Sequence, residues 1–480
     1  MKIAVIGAGP AGMTAAYEIS KQLGKKISAL DLFEKSDRVG GLSRSIELWD
    51  QRVDLGPHRF FSHDTRINTF WLEVVQDRYD IVDRQTRIYY KKRFFDYPIR
   101  AFNALNGLGI FEAGRCFLSY LSERMFPTKE RSTFEGWVTS RFGKRLYTIF
   151  FKTYSEKLWG IKCTELDSDF AAQRIKKLSF FEAVKNAIFQ GKGNKHATLV
   201  DQFAYPIGGT GSVYESMQEQ IEIRGGEVHL NTEVEKVITS GGVTHSLQLE
   251  NGEIREYDHI ISTMPISLLV ERLPEVPAPV LEQSKKLIFR NTILVYLRVD
   301  RNNLFSDQWL YIHDPSVEVG RVTNFRNWLP SVYGQSESSI LCLEYWCYFD
   351  DDLWNQDPEE LITKAGKEIV MTGLVNEEDV KEGHVVKLPR CYPVYFSGYR
   401  DVMQPVEDYL TTVGGLHAIG RYGAYKYNNQ DHSILMGILV SENILDKTGH
   451  DLWAINTDYE VYQESSVITK TGLVTKGSQK

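Results

Sequence analysis

Apolar residues run unbroken from Ile3 to Ile6 and stop at Gly7, the mark of a short buried strand that ends in a turn. A second strand is predicted over Ile27 to Phe33, which ends on an acid, Glu34. Between them the chain passes Gly7, Gly9 and Gly12 and enters a helix. Further on, alternation from Gly225 through Val234 to Val237 predicts one half-buried strand, and Ile260 to Pro265 a strand and turn that return to the N-terminal region. Helical periodicity marks residues 100 to 200, as in Phe134 to Gly143 and Phe170 to Lys177. Strand-like runs mark residues 285 to 400, as in Thr292 to Val299 and Ile340 to Phe349. The periodic stretch Phe102 to Phe126 is the best candidate for a helix that binds a surface, although the pattern favours a helix packed within a domain.

The spacing Gly7-x-Gly9-x-x-Gly12, between a strand and a helix and followed by an acid at the end of the next strand, is the dinucleotide fingerprint in its full context. Gly7 permits the tight turn, Gly9 the approach of a pyrophosphate, and Gly12 close packing of helix on strand. Glu34 can accept hydrogen bonds from the adenosine ribose. Unpaired N–H groups at the helix start complete an anion site.

Composition changes this picture little. At 480 residues the chain exceeds what one core usually serves, so two or three domains are expected. A net charge of −7 offers no global attraction to nucleic acid, and phosphate must be met by local arginines. The five cysteines show no metal-ligand spacing, and their odd number without a signal peptide reads as reduced thiols in the cytoplasm. No apolar run has the length of a membrane span, which suggests a soluble or at most peripheral protein. Only Val467 to Lys480 is polar enough to be read as a loose tail.

The residues after Glu34, Lys35-Ser-Asp-Arg38-Val-Gly40-Gly41, place a cation and a glycine pair beside the ribose position. This resembles a large flavoprotein family that includes amine oxidases, protoporphyrinogen oxidases, phytoene desaturases and UDP-galactopyranose mutases. The resemblance implies FAD, with Gly7, Gly9, Gly12, Glu34, Lys35, Arg38, Gly40, Gly41 and Val234 around it. It also implies an α/β fold: a Rossmann-like FAD-binding domain assembled from residues 1–95, 205–275 and 405–450. A mainly helical insertion, 96–204, and a β-sheet insertion, 276–404, would form the substrate side, with 451–480 as an extension.

Two motifs narrow the resemblance. Gly56-Pro57-His58-Arg-Phe-Phe61-Ser62-His63 is similar to the histidine loop of UDP-galactopyranose mutases, and Gly420-Arg421-Tyr-Gly-Ala-Tyr-Lys-Tyr427-Asn-Asn429-Gln430-Asp431-His432-Ser433 to their segment along the flavin. Between these, Tyr97-Pro98 resembles the family's Tyr-Pro at the nucleotide end of the pocket, and Tyr154-Ser-Glu-Lys-Leu-Trp159 its aromatic helix. Arg174, fifteen residues beyond Trp159, falls where the family keeps a diphosphate-binding arginine, as does Arg321 after Trp309-Leu-Tyr311. The resemblance therefore implies catalytic roles for His58, Arg174, Arg321, Tyr311, Tyr392 and Tyr427. Substrate contacts would come from Tyr97, Arg100, Tyr154, Trp159 and Trp309, and further flavin contacts from His63, Gly420, Arg421, Asn429, Gln430, Asp431 and Ser433. No metal is implied.

The chain departs from the family at Ile99 and Arg100, where an aromatic and a glutamine are usual, at Ser155, where eukaryotic members have Asn, and at Pro57, whose fixed φ stiffens the histidine loop. The physical reading of the polar set stands beside the resemblance. Guanidinium groups meet a diphosphate with paired charge-assisted hydrogen bonds, and tyrosine hydroxyls add neutral donors. The activity implied is pyranose/furanose interconversion of a sugar nucleotide, UDP-galactose first and dTDP- or GDP-hexoses open. It would proceed by attack of reduced flavin N5 on the anomeric carbon, with NADPH or NADH as reductant and a homodimer compatible with it. The alternatives are an FAD-dependent oxidoreductase of the amine oxidase or protoporphyrinogen oxidase type and a non-catalytic FAD-bound scaffold.

Overall fold

The computed structural model describes residues 1–97, 103, 107–175, 202–329, 336–455, 466–470 and 472–475. The chain divides into two compact units, Met1–Ile81 with Phe203–Ile288 and Arg400–Lys480, and Val82–Gln202 with Phe289–Tyr399.

The first unit is built on a five-stranded sheet in the order Leu416–Ala418, His259–Ser262, Lys2–Ile6, Ala29–Phe33, Glu227–His229. Every neighbouring pair is parallel, with Val5 opposite Leu32 on one side and Ile261 on the other. Such a sheet needs cover on both faces, which explains why its central strand is apolar throughout rather than alternating. Helices Pro10–Ser20, Gly211–Ile223 and Gln430–Asp446 contribute to its core. Helix Gln430–Asp446 is buried at every position from Gln430 to Ser441, the pattern of a helix enclosed on all sides. Its approach to the first helix leaves no room for side chains, since a Cβ on Gly437 would lie 2.6 Å from the Ala11 carbonyl oxygen.

Three expectations are corrected here. The alternation from Gly225 to Val237 is two strands: Glu227–His229 joins the parallel sheet, while Val234–Ser240 pairs with Val243–Leu249 in an antiparallel sheet. Asn231, at φ 51°, breaks the run, and its N–H donates to the Ser36 carbonyl instead of to a ladder. Residues 82–95, read with the nucleotide-binding segment, cluster with the second unit because Thr86–Tyr90 pairs in parallel with Trp309–Ile312. The tail read as loose contains a hairpin, Ser466–Thr469 with Gly472–Thr475, tied down by a hydrogen bond from the Tyr79 hydroxyl to the Thr469 carbonyl.

The second unit holds a seven-stranded sheet in the order Val380–Pro393, Phe289–Val299, Ser339–Cys347, Arg321–Asn324, Trp309–Ile312, Thr86–Tyr90, Arg93–Asp96. All nine positions of Ser339–Cys347 are buried. Helix Pro358–Thr372 supplies Leu361, Ala365 and Ile369 to the core that includes Leu341 and Leu343 of that strand. Helices Ile110–Met125, Phe134–Phe142, Thr153–Trp159 and Ser168–Ile175 lie in the segment expected to be helical. The helix predicted over Phe170 to Lys177 is therefore observed as Ser168–Ile175, and residues 176–201 lie outside the described residues.

Replacing Gly437 by Leu forces the first and last helices of the nucleotide-binding unit apart. Overpacking of this kind costs roughly 1–3 kcal/mol or more, read as a lowered urea midpoint, and an unchanged midpoint would show that the two helices are not locked together there.

Candidate active site

The start of helix Pro10–Ser20 has the geometry of a phosphate cradle. Gly7 sits at φ +95°, and a Cβ there would lie 2.2 Å from Thr263 Oγ1; one on Gly12 would lie 2.0 Å from the Gly7 carbonyl. Gly9 differs from both. Its φ of −76° suits any residue and its Cβ would meet nothing within 4 Å, so neither backbone nor packing requires glycine there. The space in front of it is open, and a glycine is what would let a ligand approach the backbone there. Gly9 caps the helix without a side-chain bond, Pro10 has no N–H to satisfy, and the following N–H groups remain uncapped by side chain. Glu34 Oε2 accepts from Ala8 N at 2.8 Å and Oε1 accepts from Ser36 N and Oγ, which ties the first loop to the end of the second strand. Gly40 and Gly41, at φ +103° and +54°, turn the chain back toward Gly9, whose Cα a Cβ on Gly41 would approach to 3.0 Å. Lys35 and Arg38 are exposed beside them, and Val234 is buried at the start of its strand.

The two distant motifs of this unit meet. Phe60, in the histidine loop, stacks on Trp71 at 4.6 Å and is buried, so the loop is anchored in the core. His58 gives its carbonyl to Thr210 Oγ1, and His63 contacts Phe61 edge-on. Gln430 receives the Tyr214 hydroxyl at 2.8 Å and donates to the Arg59 carbonyl. Gly420, at φ +83°, lies so close to the first helix that its Cβ would be 3.0 Å from that of Ala11. Arg421 lies over the Tyr427 ring at 4.5 Å and donates to the Asn428 carbonyl. Asn429 begins the last helix, and Asp431 and Ser433 are buried in its first turn.

Asp54, which the sequence reading missed, organises this region. It is fully buried and accepts from Ser45 Oγ at 2.6 Å, Tyr205 hydroxyl at 2.7 Å and Thr210 N at 3.0 Å. Burial raises its pKa against the opposing pull of those hydrogen bonds. An isolated acid in a strand carries no sequence signal, and only the fold brings its three donors together.

In the second unit, Tyr311, Arg321 and Glu344 face one another across adjacent strands as register partners. Arg321 Nε and Nη2 each bond a Glu344 oxygen at 2.5 Å, and Nη2 also reaches the Tyr392 hydroxyl at 3.4 Å. Burial opposes the charge on Arg321, but the facing carboxylate outweighs it and holds the guanidinium protonated beyond its ordinary range. Among the described residues the bonds of this guanidinium run from Nε and Nη2, and none runs from Nη1.

Aromatic rings extend this row. Tyr154 contacts Tyr311 edge-on at 5.4 Å and Trp346 at 5.8 Å, Tyr97 lies 4.8 Å from Tyr311, and Trp159 and Trp346 both meet Tyr392 edge-on. One π-helical turn, Thr148–Lys152, leads into the helix that carries Tyr154 and Trp159. Lys157 of that helix donates to the Ile312, Asp314 and Val319 carbonyls, which fastens it to the Tyr311 strand; burial pushes its pKa down to about 8. His313 stacks on Tyr154 at 4.9 Å, and burial, with the charge of Lys157, pushes it down to about 3, so it is neutral.

The structure thus brings Tyr97, Tyr154, Trp159, Tyr311, Arg321 and Tyr392 together and adds His313, Glu344 and Trp346, which the motifs did not mark. Gly320 held a usable signal, since a Cβ there would lie 1.9 Å from the Trp346 ring. Trp309 instead packs on Trp328 at 5.7 Å. Arg174 belongs to helix Ser168–Ile175, its side chain outside the described residues, and Arg100 lies outside them altogether. All five cysteines are buried and free of disulfides; burial pushes Cys163 and Cys347 up to about 12, which disfavours thiolate chemistry.

The chain belongs to the family of flavin-containing amine oxidoreductases, whose model matches residues 10–445. It is 23% identical to a 15-cis-phytoene desaturase of Glycine max, over 93% of this chain and 79% of that one, and 23% identical to a 4,4'-diapophytoene desaturase of Staphylococcus aureus (strain MRSA252), over 66% and 71%. Its fold is similar to that of a reduced UDP-galactopyranose mutase, with TM-score 0.83 and 23% identity over 95% of this chain and 98% of that one. A putrescine oxidase bound to putrescine is also similar, with TM-score 0.63 and 16% identity over 93% and 99%. The family supplies a flavin as cofactor, and the residues around Gly9 fit it.

Replacing Asp54 by Leu strands three donors in the interior and is expected to cost about 3–5 kcal/mol of stability; a loss below about 1 kcal/mol in urea unfolding would show the network to be dispensable. Glu344→Ala leaves the half-buried guanidinium of Arg321 uncompensated, for which a loss of up to about 3 kcal/mol is expected. The double variant Glu344→Ala/Arg321→Met should recover much of it, and no recovery would mean that the two groups do not act as a pair.

Proposed function

We propose that this chain is a flavin-dependent mutase that interconverts the pyranose and furanose forms of a sugar nucleotide, with UDP-galactose as preferred substrate. The observation that carries the reading is the half-buried Arg321, held on two nitrogens by the buried Glu344 and flanked by the Tyr392 hydroxyl, Tyr311 and Tyr154. A hydrocarbon gives a guanidinium nothing to bind. A simple amine needs an acceptor, and the Glu344 oxygens are already engaged. An anionic leaving group, by contrast, needs a directed donor edge in a water-poor site.

Bound reduced flavin is the source of the nucleophilic chemistry at the anomeric carbon, with no net electron flow. This chain's part is to orient and to stabilise charge. Arg321 Nη1 and the hydroxyls of Tyr311 and Tyr392 receive the departing diphosphate, with Arg174 as a second cation and Arg100 beside the base. Trp159 and Tyr154 confine the sugar, and His58 takes a positioning role near the flavin. NADPH or NADH serves as reductant.

Oxidation of an amine or a desaturation is the competing reading, favoured by the names of the relatives. Incubation of the purified protein with UDP-galactofuranose should yield UDP-galactopyranose only after dithionite reduction. Equal conversion with oxidised flavin would sink the mutase reading, and stoichiometric oxygen consumption on an amine would establish its rival. Arg321→Ala should lower kcat/KM by roughly 2–5 kcal/mol in activation free energy with flavin content unchanged; a near-normal value would remove Arg321 from the site.

A further inference from the structure

Helix Ile110–Met125 is packed inside out. The side it turns inward carries Cys116 and Tyr120, the only residues of the helix that are buried, together with Glu112, which pairs with Arg145, and Ser119, whose hydroxyl accepts from Arg145 N. Its large apolar side chains point the other way: Ile110 is 84% exposed, Phe111 90%, Leu118 65% and Met125 69%, with Phe117 and Leu121 also exposed. At 3.6 residues per turn, these six positions fall in one stripe about 120° wide. Phe126 continues it past the helix end, 76% exposed. Within the stretch Phe102 to Phe126, whose pattern favours a helix packed within a domain, the part from Ile110 onward thus presents its apolar face to the outside. A monomer seldom leaves such a contiguous patch uncovered.

Charge identifies what covers it. Arg115 and Arg124 flank the stripe on opposite edges, and both are exposed. From Ile110 to Arg145 there are seven Lys and Arg against four Glu and no Asp, a local excess of three positive charges in a chain whose net charge is −7. The four glutamates are engaged within the protein: Glu112 with Arg145, Glu123 with Thr128, Glu130 with Ser132, and Glu135 with Lys144 and Tyr147. Lys129 and Arg131 stand exposed just beyond the helix. An apolar stripe with cationic edges on a locally basic surface matches a bilayer interface, with acyl chains under the stripe and anionic headgroups beside the arginines. A second copy of the chain fits less well, because a twofold pairing of stripe on stripe sets arginine edges against each other.

We propose that helix Ile110–Met125 docks the protein on the surface of an anionic lipid bilayer, lying in the interfacial plane. Among the described residues no helix is long and apolar enough to cross a membrane, so the attachment is peripheral. The test is flotation of the full-length flavoprotein with vesicles of phosphatidylcholine mixed with phosphatidylglycerol, against vesicles of phosphatidylcholine alone. Wild type should float with the mixed vesicles, less so in high salt and less with the neutral ones. Phe111→Ser/Leu118→Ser should bind roughly tenfold or more weakly, with flavin content and melting temperature kept because both side chains are exposed. Arg115→Glu/Arg124→Glu should lose the preference for the mixed vesicles. Failure of wild type to float, or equal flotation of the serine variant, overturns the proposal. A wild-type dimer that the serine variant converts to monomer also overturns it, by assigning the stripe to a second copy.

Discussion

The nucleotide-binding unit depends on backbone approaching backbone at the first helix. Two contacts there are closer than any Cβ allows, Gly12 against the Gly7 carbonyl and Gly437 against the Ala11 carbonyl, and a third, Gly420 against the Ala11 Cβ, is tight. The last two join chain segments from opposite ends of the sequence, so the last helix and the loop before it take their position from the first helix. The segment 420–433 is placed by packing, not by its own local structure. Gly9 stands apart as the one glycine of the fingerprint that no protein atom requires, and the space in front of it is open.

The second unit is organised by an electrostatic constraint. Glu344 is buried and Arg321 half-buried beside it on the neighbouring strand, and the carboxylate could not be left there unpaired without a cost of about 3–5 kcal/mol. The pairing fixes the guanidinium plane and so the direction in which Nη1 points. It also offsets the charge of the guanidinium. Trp346, packed on Gly320, and Lys157, donating to three carbonyls, hold the strands and the aromatic helix in the arrangement that pairing needs.

A shared fold does not decide among the chemistries that the family carries, since desaturases, amine oxidases and mutases all use it. The distinction lies in the side chains added to it. In this chain they are an arginine–glutamate pair, tyrosine hydroxyls and tryptophan rings on one unit, and an uncovered apolar helix with basic edges on the same unit.

Much of this was legible in the residues because the signals are local. A glycine triplet between an apolar strand and a helix, with an acid after the next strand, specifies a tight turn and a close helix–strand contact within about forty residues, and Gly7 and Gly12 stand in those places. The motifs around His58 and Gly420 could be matched by likeness, but not placed. What required the tertiary structure was long-range pairing. Alternation looks the same whichever sheet a strand joins, so residues 82–95 could not be assigned, and the break at Asn231 was hidden within a continuous pattern. Glu344 faces Arg321 through strand register, and Asp54 meets Tyr205 and Thr210 through the packing of distant loops. Helical periodicity located the apolar stripe of Ile110–Met125 without saying which way it faced, because a helix rotates about its axis at no cost to its own hydrogen bonds and only its neighbours decide the side that is buried.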